Sequence, residues 1–518
     1  MNQKIIVSES DRLIPKGSTV IKTWHRYLSI VTIVLLYKGA EEMYLSTSRQ
    51  YIYYWFKRSV ARRNATFNGG NISTSTNCPG DENVTKDAEN ESQANTSNWE
   101  LYLDVMMYSI ALFTLPIYGA LSDYLGRKFI IILPLFGGFL RAFIAAIIIY
   151  FELDISYLLI AHASDGLSGT SLTQSVATYS FTADITPVGN SRTVGMAFME
   201  CLKGTGRFIS SIGTGYFIKR YGYFYPTLTS AGMCLLASIV GMVWFSETRK
   251  TQKERSISVL TLYKNVIDFY TSAKKGQDRS TFWLCMIVFV MVLLPLIARN
   301  GLLTLLQLGS PFCWPSVTIG WYDSALTLAN FIIGLFIIKP LLNCFSHGTT
   351  GILALLGSIG FYVLIALAKD NIMLFVVASR ASFLLHAVAR ETPTPDVINK
   401  NGFNDAPLEI IPELVISRAV AVGIPMLLPL PIVRGIASHK ACPEKQGALL
   451  AGLTEAEVVC TLVSKFIFNT IYSQSVSWMR GFAFIIMAAT NVVALVFMIW
   501  LSCLYGAEEE ITNHVIES

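Results

Sequence analysis

Runs of about twenty apolar residues recur along almost the whole chain, and the length of each matches the thickness of a bilayer core. Roughly twelve can be placed, near 27–48, 101–121, 129–150, 157–182, 194–217, 224–246, 281–305, 318–341, 350–368, 414–433, 449–472 and 482–504. A backbone crossing lipid must satisfy its own hydrogen bonds, so each run reads as a helix. Only 14% of the 518 residues are charged and 53% are hydrophobic, whereas soluble domains carry roughly 25% charge. The expected fold class is an all-α membrane protein. The first 26 residues are polar and show no cleavage signal, so the first span is expected to direct its own insertion.

Charge sets the orientation. Lys4, Arg12, Lys16, Lys22 and Arg26 precede the first span, and Arg127 and Lys128 follow the second. Seven further cations, from Lys250 to Arg279, fill the long middle segment. Cations flanking spans mark the cytosolic side, so both termini are expected there (1–26 and 505–518). The segment 49–99 then faces outward. It carries five Asn-x-Ser/Thr acceptors, at Asn64, Asn71, Asn83, Asn90 and Asn95, whose crowding into one outer loop predicts glycosylation. The net charge of +5 belongs to the cytosolic loops and suggests no nucleic-acid partner.

Nine cysteines do not form a disulfide scaffold. Cys201, Cys234, Cys285, Cys460 and Cys503 sit in or beside spans, and Cys344 and Cys442 fall in cytosolic loops. Cys78 and Cys313 lie on the oxidising face. They are expected to pair and tie the halves together; two free thiols is the alternative.

The polar, basic segment 247–280 divides the chain into an N-terminal bundle, 27–246, and a C-terminal bundle, 281–504. One region interrupts the second bundle. Residues 382–419 include Arg390, Glu391, Asp396, Lys400, Asp405 and Glu409 and cannot cross lipid. The triplet Ser379-Arg380-Ala381 returns as Ser417-Arg418-Ala419, and removing 382–419 leaves one continuous tenth span. This segment is expected to be an insertion; a genuine outward loop is the alternative.

The turn from Gly119 to Lys128 carries a pattern, G-x-x-x-D-x-x-G-R-K, that resembles the loop between the second and third helices of the major facilitator superfamily. Gly119 and Gly126 let the chain turn closely. Asp123 and Arg127, one helical turn apart, offer a latch that forms in one conformation and breaks in another. Further motifs fall in order: Asp184-Ile-Thr-Pro, Ser191-Arg-Thr, Ser310-Pro-Phe-Cys-Trp, Glu444-Lys-Gln-Gly-Ala-Leu, Phe468-Asn-Thr-Ile-Tyr and Arg480-Gly-Phe. Together they are similar to the proton-coupled folate transporter family, solute carrier family 46, over about residues 24–505 apart from the insertion. The resemblance implies a twelve-helix fold of two pseudo-symmetric six-helix bundles and import coupled to protons. It implies a location at the plasma membrane or an acidic organelle. Folates, antifolates, bacterial cell-wall peptides and cyclic dinucleotides lie within that family's range. By resemblance Glu200 matches a fifth-helix proton-coupling glutamate, and Arg434 a tenth-helix arginine that binds proton and substrate. Asp123 with Arg127 matches the loop latch, and Cys78 with Cys313 a disulfide between outer loops. Leu296 stands where the folate carrier has a His, and Gly301 where it has an acid, which points away from folate itself.

Charges within spans mark a transport path, because each is costly unless paired or wetted. Glu200, Lys203, Gly204 and Arg207 recur on one side of the fifth span. Glu200 can pair with Lys203 or line a cavity with Arg207. Asp165 and His162 near the start of the fourth span are further proton-coupling candidates. Glu41 and Glu42 interrupt the first span, and Glu41 is counted with Arg207 and Arg434 as substrate-binding. Arg141, Lys465, Glu455 and Glu457 are secondary candidates. A planar guanidinium suits a carboxylate or phosphate, which favours an anionic substrate. No P-loop, cofactor motif or metal-ligand spacing is present in the sequence, so neither enzyme nor ATP-driven pump is expected. The reading is a proton-coupled symporter of an organic anion. Its rivals are an endolysosomal exporter, suggested by the sorting-type run Glu9-Ser-Asp-Arg-Leu13-Ile14, and a non-transporting receptor.

Overall fold

The computed structural model describes residues 19–68, 83–186, 190–245, 247, 279–332, 347–368 and 446–517. Arg434, Asn71, Cys78, residues 382–419 and most of the 247–280 linker lie outside them, as do the side chains of Asn64, Asn83, Gly119 and Asp123. The described residues are helical, with no strand. In chain order they form α1 (Thr19–Asn68), α2 (Asn83–Leu125), α3 (Arg127–Tyr150), α4 (Leu158–Leu167), α5 (Thr170–Ile185), α6 (Asn190–Tyr221) and α7 (Phe224–Val243). The second half contributes α8 (Arg279–Leu308), α9 (Ser316–Ile332), α10 (His347–Leu367), α11 (Gln446–Ser475) and α12 (Phe482–Glu517).

Several helices outrun the spans that hydropathy marks. α1 continues to Asn68 through Lys57, Arg58, Arg62 and Arg63, and α2 begins at Asn83. The described part of the 49–99 segment is therefore helical, not a loop, and on α2 tertiary packing holds it: Ser92, Gln93, Thr96 and Ser97 are buried, with Gln93 and Ser97 bonded to α11. Asn90 and Asn95 lie half-buried on α2. Likewise α12 runs on through 505–517.

The fourth span is broken in two. Gly169 has φ +83°, a conformation open to glycine and strained for other residues, and it separates α4 from α5. A break inside lipid leaves carbonyls that need donors. α2 supplies them: Thr114 Oγ1 donates to Gly166 O at 3.0 Å, and Tyr118 Oη donates to Leu167 O. Thr173 Oγ1 donates to Gly169 O at 2.8 Å.

Six helices among the described residues, α2, α3, α7, α8, α10 and α12, are long and apolar enough to cross a membrane. Charges interrupt the apolar sequence of several others: Lys38, Glu41 and Glu42 on α1, Glu200, Lys203 and Arg207 on α6, Asp323 on α9, and Glu457 and Lys465 on α11.

The hydrophobic cores keep to the halves. One cluster joins α8 to α12 around Phe289, Tyr322, Phe361, Phe468 and Phe484. Two others lie in the first half, around Tyr37, Leu135 and Phe181 and around Tyr44, Leu103 and Ala145. The halves meet along two crossings, α6 with α9 and α2 with α11.

Candidate functional site

The centre of the first half is built where α1 and α6 nearly touch. A Cβ on Gly206 would stand 2.9 Å from Leu35 O, and Ser210 Oγ donates to Gly39 O at 2.6 Å. This approach sets Lys38 and Glu41 of α1 beside Lys203 and Arg207 of α6. Lys38 Nζ and Glu41 Oε2 lie 2.7 Å apart, both largely removed from solvent. Lys203 Nζ lies 3.2 Å from Glu200 Oε1 and donates to Tyr179 Oη at 3.0 Å and Ser175 Oγ at 3.3 Å on α5. Its ammonium also sits 4.1 Å from the Tyr179 ring centre, a cation–π contact.

Glu200 and Arg207 differ from these pairs in exposure. The Glu200 side chain is 59% exposed although it sits well inside the span. Arg207 is exposed too, while Glu41, Glu42 and Glu200 remain within electrostatic reach of it. No carboxylate comes within 4 Å of Arg207 among the described residues. Charges in mid-span are costly against lipid, so exposure here suits a polar, wetted surface. Of the two arrangements expected for Glu200, the local pair with Lys203 forms, and Arg207 lies within electrostatic reach of Glu200.

Asp165 and His162 occupy a separate, closed chamber between α3 and α4. Arg141 Nη1 meets Asp165 Oδ2 at 2.7 Å, with 5% and 1% of the two side chains exposed. The guanidinium lies 4.4 Å from the Tyr44 ring. His162 Nδ1 is 2.9 Å from Leu158 O, one turn back on its own helix. Asp165 is thus held in a structural ion pair, with Glu41 and Lys38 of α1 within electrostatic reach of it. Lys38 was not anticipated by the sequence, although its position three residues before Glu41 is helical pair spacing.

At the inner end, the turn after α2 finds an unexpected partner. Arg127 N and Lys128 N donate to the Glu247 carboxylate at 2.9 and 3.0 Å, and Lys128 Nζ donates to Met242 O at 2.7 Å. Gly126, with φ +99°, leaves the space: a Cβ there would lie 2.3 Å from Glu247 Oε2. A carboxylate on the first amides of α3 also complements the helix dipole. The motif therefore ties α3 to the end of α7, through a residue that the sequence marks only as a charged helix end.

On the side that the sequence assigns outward, polar contacts join the halves. Lys465 Nζ of α11 meets Asp104 Oδ2 of α2 at 2.8 Å, and beside it, within the first half, Arg49 of α1 lies 3.7 Å from Glu100. Arg480 reaches Glu89 at 3.5 Å and donates to Asn90 Oδ1 at 2.7 Å. Tyr472 Oη donates to Gln93 Oε1 at 2.7 Å, and Ser97 Oγ to Asn469 O at 3.0 Å. On the other crossing Ser324 Oγ donates to Phe208 O at 3.0 Å and Trp321 Nε1 to Tyr216 Oη at 3.2 Å. Cys313 is disulfide-bonded; Cys201, Cys234, Cys285, Cys460 and Cys503 are free. No group of side chains suited to a metal ion occurs among the described residues.

Residues 94–389, more than half of the chain, match the Major Facilitator Superfamily model. The lysosomal proton-coupled steroid conjugate and bile acid symporter SLC46A3 of Gallus gallus is 24% identical, over 79% of this chain and 81% of that protein. The proton-coupled folate transporter of Rattus norvegicus is 23% identical, over 81% and 80%. Among solved structures, the human organic anion transporter MFSD10 (TETRAN) aligns with a TM-score of 0.57 at 14% identity, covering 92% of this chain and 99% of that one. The partially occluded, inward-open xylose transporter XylE of E. coli aligns at 0.54 and 12%, covering 92% and 96%. The helical architecture, the two apolar halves and this match agree: the chain is a multi-pass membrane transporter that belongs to the Major Facilitator Superfamily, with solute carrier 46 relatives over most of its length.

Proposed function

We propose that this transporter carries an organic anion together with protons, and that the α1–α6 cavity is where the two meet. The observation that carries the reading is Arg207. Lys38 and Lys203 are each neutralised by a carboxylate within hydrogen-bonding distance, whereas Arg207 opens into the cavity with no such partner among the described residues. A guanidinium in that position presents a fork of donors to a carboxylate, sulfate or phosphate. Relatives named as symporters of folate and of steroid conjugates and bile acids support an anionic substrate and a proton as the coupled ion.

Glu200 supplies the coupling. Ionised, it neutralises Lys203 and lowers the positive potential around Arg207. Protonated, it leaves Lys203 and Arg207 to the anion. Proton and anion then favour each other's binding, and by linkage the coupling is reciprocal. Loading is strongest when the outer compartment is acidic and is lost as pH rises. Arg434 remains the candidate partner from the tenth span.

Two substitutions test this. Arg207→Gln removes a charged hydrogen-bond donor worth about 1.5–3 kcal/mol, on the order of ten- to a hundredfold in apparent anion affinity. Glu200→Gln mimics the protonated form, so uptake is expected to lose its acid stimulation while the chain still reaches the membrane. Unchanged affinity in the first variant and an unchanged pH profile in the second would each refute the assigned role.

A further inference from the structure

Two carboxylates where the halves face each other lack what the other interior acids have. Lys38 holds Glu41, Lys203 holds Glu200, Arg141 holds Asp165 and Lys465 holds Asp104. Glu42 of α1 and Asp323 of α9 are both half-buried. Among the described residues, neither carboxylate accepts a hydrogen bond or meets a cation at ion-pair distance.

Their placement follows from the helices that carry them. On α9, Ser316 and Gly320 press on α6: a Cβ on Gly215 would lie 2.6 Å from Ser316 O, and one on Gly320 would lie 2.4 Å from Ser211 O. Asp323 stands two turns after Ser316, on the same face of α9, and is thereby turned to the first half. Its neighbour Ser324 donates to Phe208 O at 3.0 Å. On α1, Gln50 accepts from Ser316 Oγ, and Arg49 Nε would lie 3.8 Å from a Cβ on Gly301 of α8. Glu42 stands two turns before these residues, on the same face of α1, and is turned to the second half. The two carboxylates thus face each other from opposite halves, within electrostatic reach. The cations that face them are Arg49 of α1, Arg299 of α8 and, toward Glu42, Arg207 of α6. Arg49 is shared with Glu100 at 3.7 Å, and Arg299 Nε and Nη2 donate to Asn300 Oδ1 at 3.0 and 2.8 Å.

We infer that Glu42 and Asp323 carry one proton between them, as a second proton site of the transport reaction, distinct from Glu200. Two like charges that face each other inside a span repel, and neither has a donor to replace lost water. A proton on either one removes the repulsion, so the two titrate as a pair. An anion at Arg207 competes with Glu42 for the same guanidinium, which further favours proton uptake by the pair. With Glu200 this makes two protons for each turn, so a substrate with two anionic groups can cross without net charge. The inference deepens the symport reading and rests on it.

Infrared difference spectroscopy of the purified full-length chain tests the pair without a substrate, because a protonated carboxyl and a carboxylate absorb apart. The Glu200→Gln chain, moved from mildly alkaline to mildly acidic buffer, is expected to gain a protonated-carboxyl band. Asp323→Asn and Glu42→Gln, each added to that chain, should each remove the same component, because the partner left alone ionises freely. Asp323→Ser and Glu42→Ala serve where the first two fail to fold. No gain of the band in Glu200→Gln overturns the inference. So does a gain that survives both added substitutions, or one lost in only one of them. In proteoliposomes, uptake of labelled bile acid or folate should depend on proton concentration less steeply, by one power, in Asp323→Asn. The expected bands with no accumulation of either anion would refute the proposed function alone.

Discussion

Arg141 and Asp165 show what a buried charge costs and contributes at the scale of one residue. Their 2.7 Å contact is enclosed by Tyr44, Met107 and Ser168, and Arg141 Nε has no hydrogen-bond partner. Removing one member leaves the other ionised in an apolar chamber. Arg141→Ala or Asp165→Ala should therefore lower stability by about 3–5 kcal/mol, whereas Arg141→Met with Asp165→Leu should cost much less. Thermal unfolding of the purified variants checks this; equal losses in the single and double variants would place the cost elsewhere. The sequence shows that Asp165 lies within a span, and a costly buried carboxyl was rightly singled out. It does not show whether the residue is paired, because its partner comes from a different helix. The same limit hid Glu247. Its ligands are two backbone amides 119 and 120 positions earlier in the chain, and amides carry no sequence signature. Glu200 and Lys203 were legible because both lie on one helix three residues apart.

At the scale of the element, the α6–α9 crossing depends on two residues without side chains. A Cβ on Gly320 would lie 2.4 Å from Ser211 O, and one on Gly215 would lie 2.6 Å from Ser316 O. Neither carbonyl can move without disturbing its own helix. Gly215→Ala should thus push α6 from α9, lowering both the unfolding midpoint and the transport rate. Gly213, two residues away on the same helix, has no atom within 4 Å of its Cβ position. Gly213→Ala should leave transport intact and stabilise by roughly 0.5–1 kcal/mol through reduced chain entropy. Similar effects at both positions would contradict a steric crossing. Hydropathy located these helices but not their ends. α1 and α2 run past the apolar stretches, α2 because polar side chains such as Gln93 and Ser97 pack against α11, and a window sensitive only to apolarity stops where polar residues begin. Nor does hydropathy mark the break at Gly169. Gly166 does approach α2, since a Cβ there would lie 2.5 Å from Met107 O, but Gly169 turns the chain, a distinction that lies in φ and not in composition.

On the scale of the whole molecule, two apolar bundles are joined by polar seams. Close van der Waals packing of apolar side chains holds each half together, since lipid tails give the helices no hydrophobic drive to associate. Hydrogen bonds and ion pairs across the seams can be remade with water. The described contacts close the outer side, and the carboxylate of Glu247 braces the inner end of the first half. Such a body can rock around a central site, which the proposed function places at Arg207 and Glu200. The most direct test is accumulation of labelled bile acid or labelled folate in proteoliposomes containing the purified chain, with an inward proton gradient and no other energy source. The account predicts accumulation of at least one anion above equilibrium, abolished by a protonophore and absent in Arg207→Gln. Accumulation that ignores the protonophore, or survives Arg207→Gln unchanged, would contradict it.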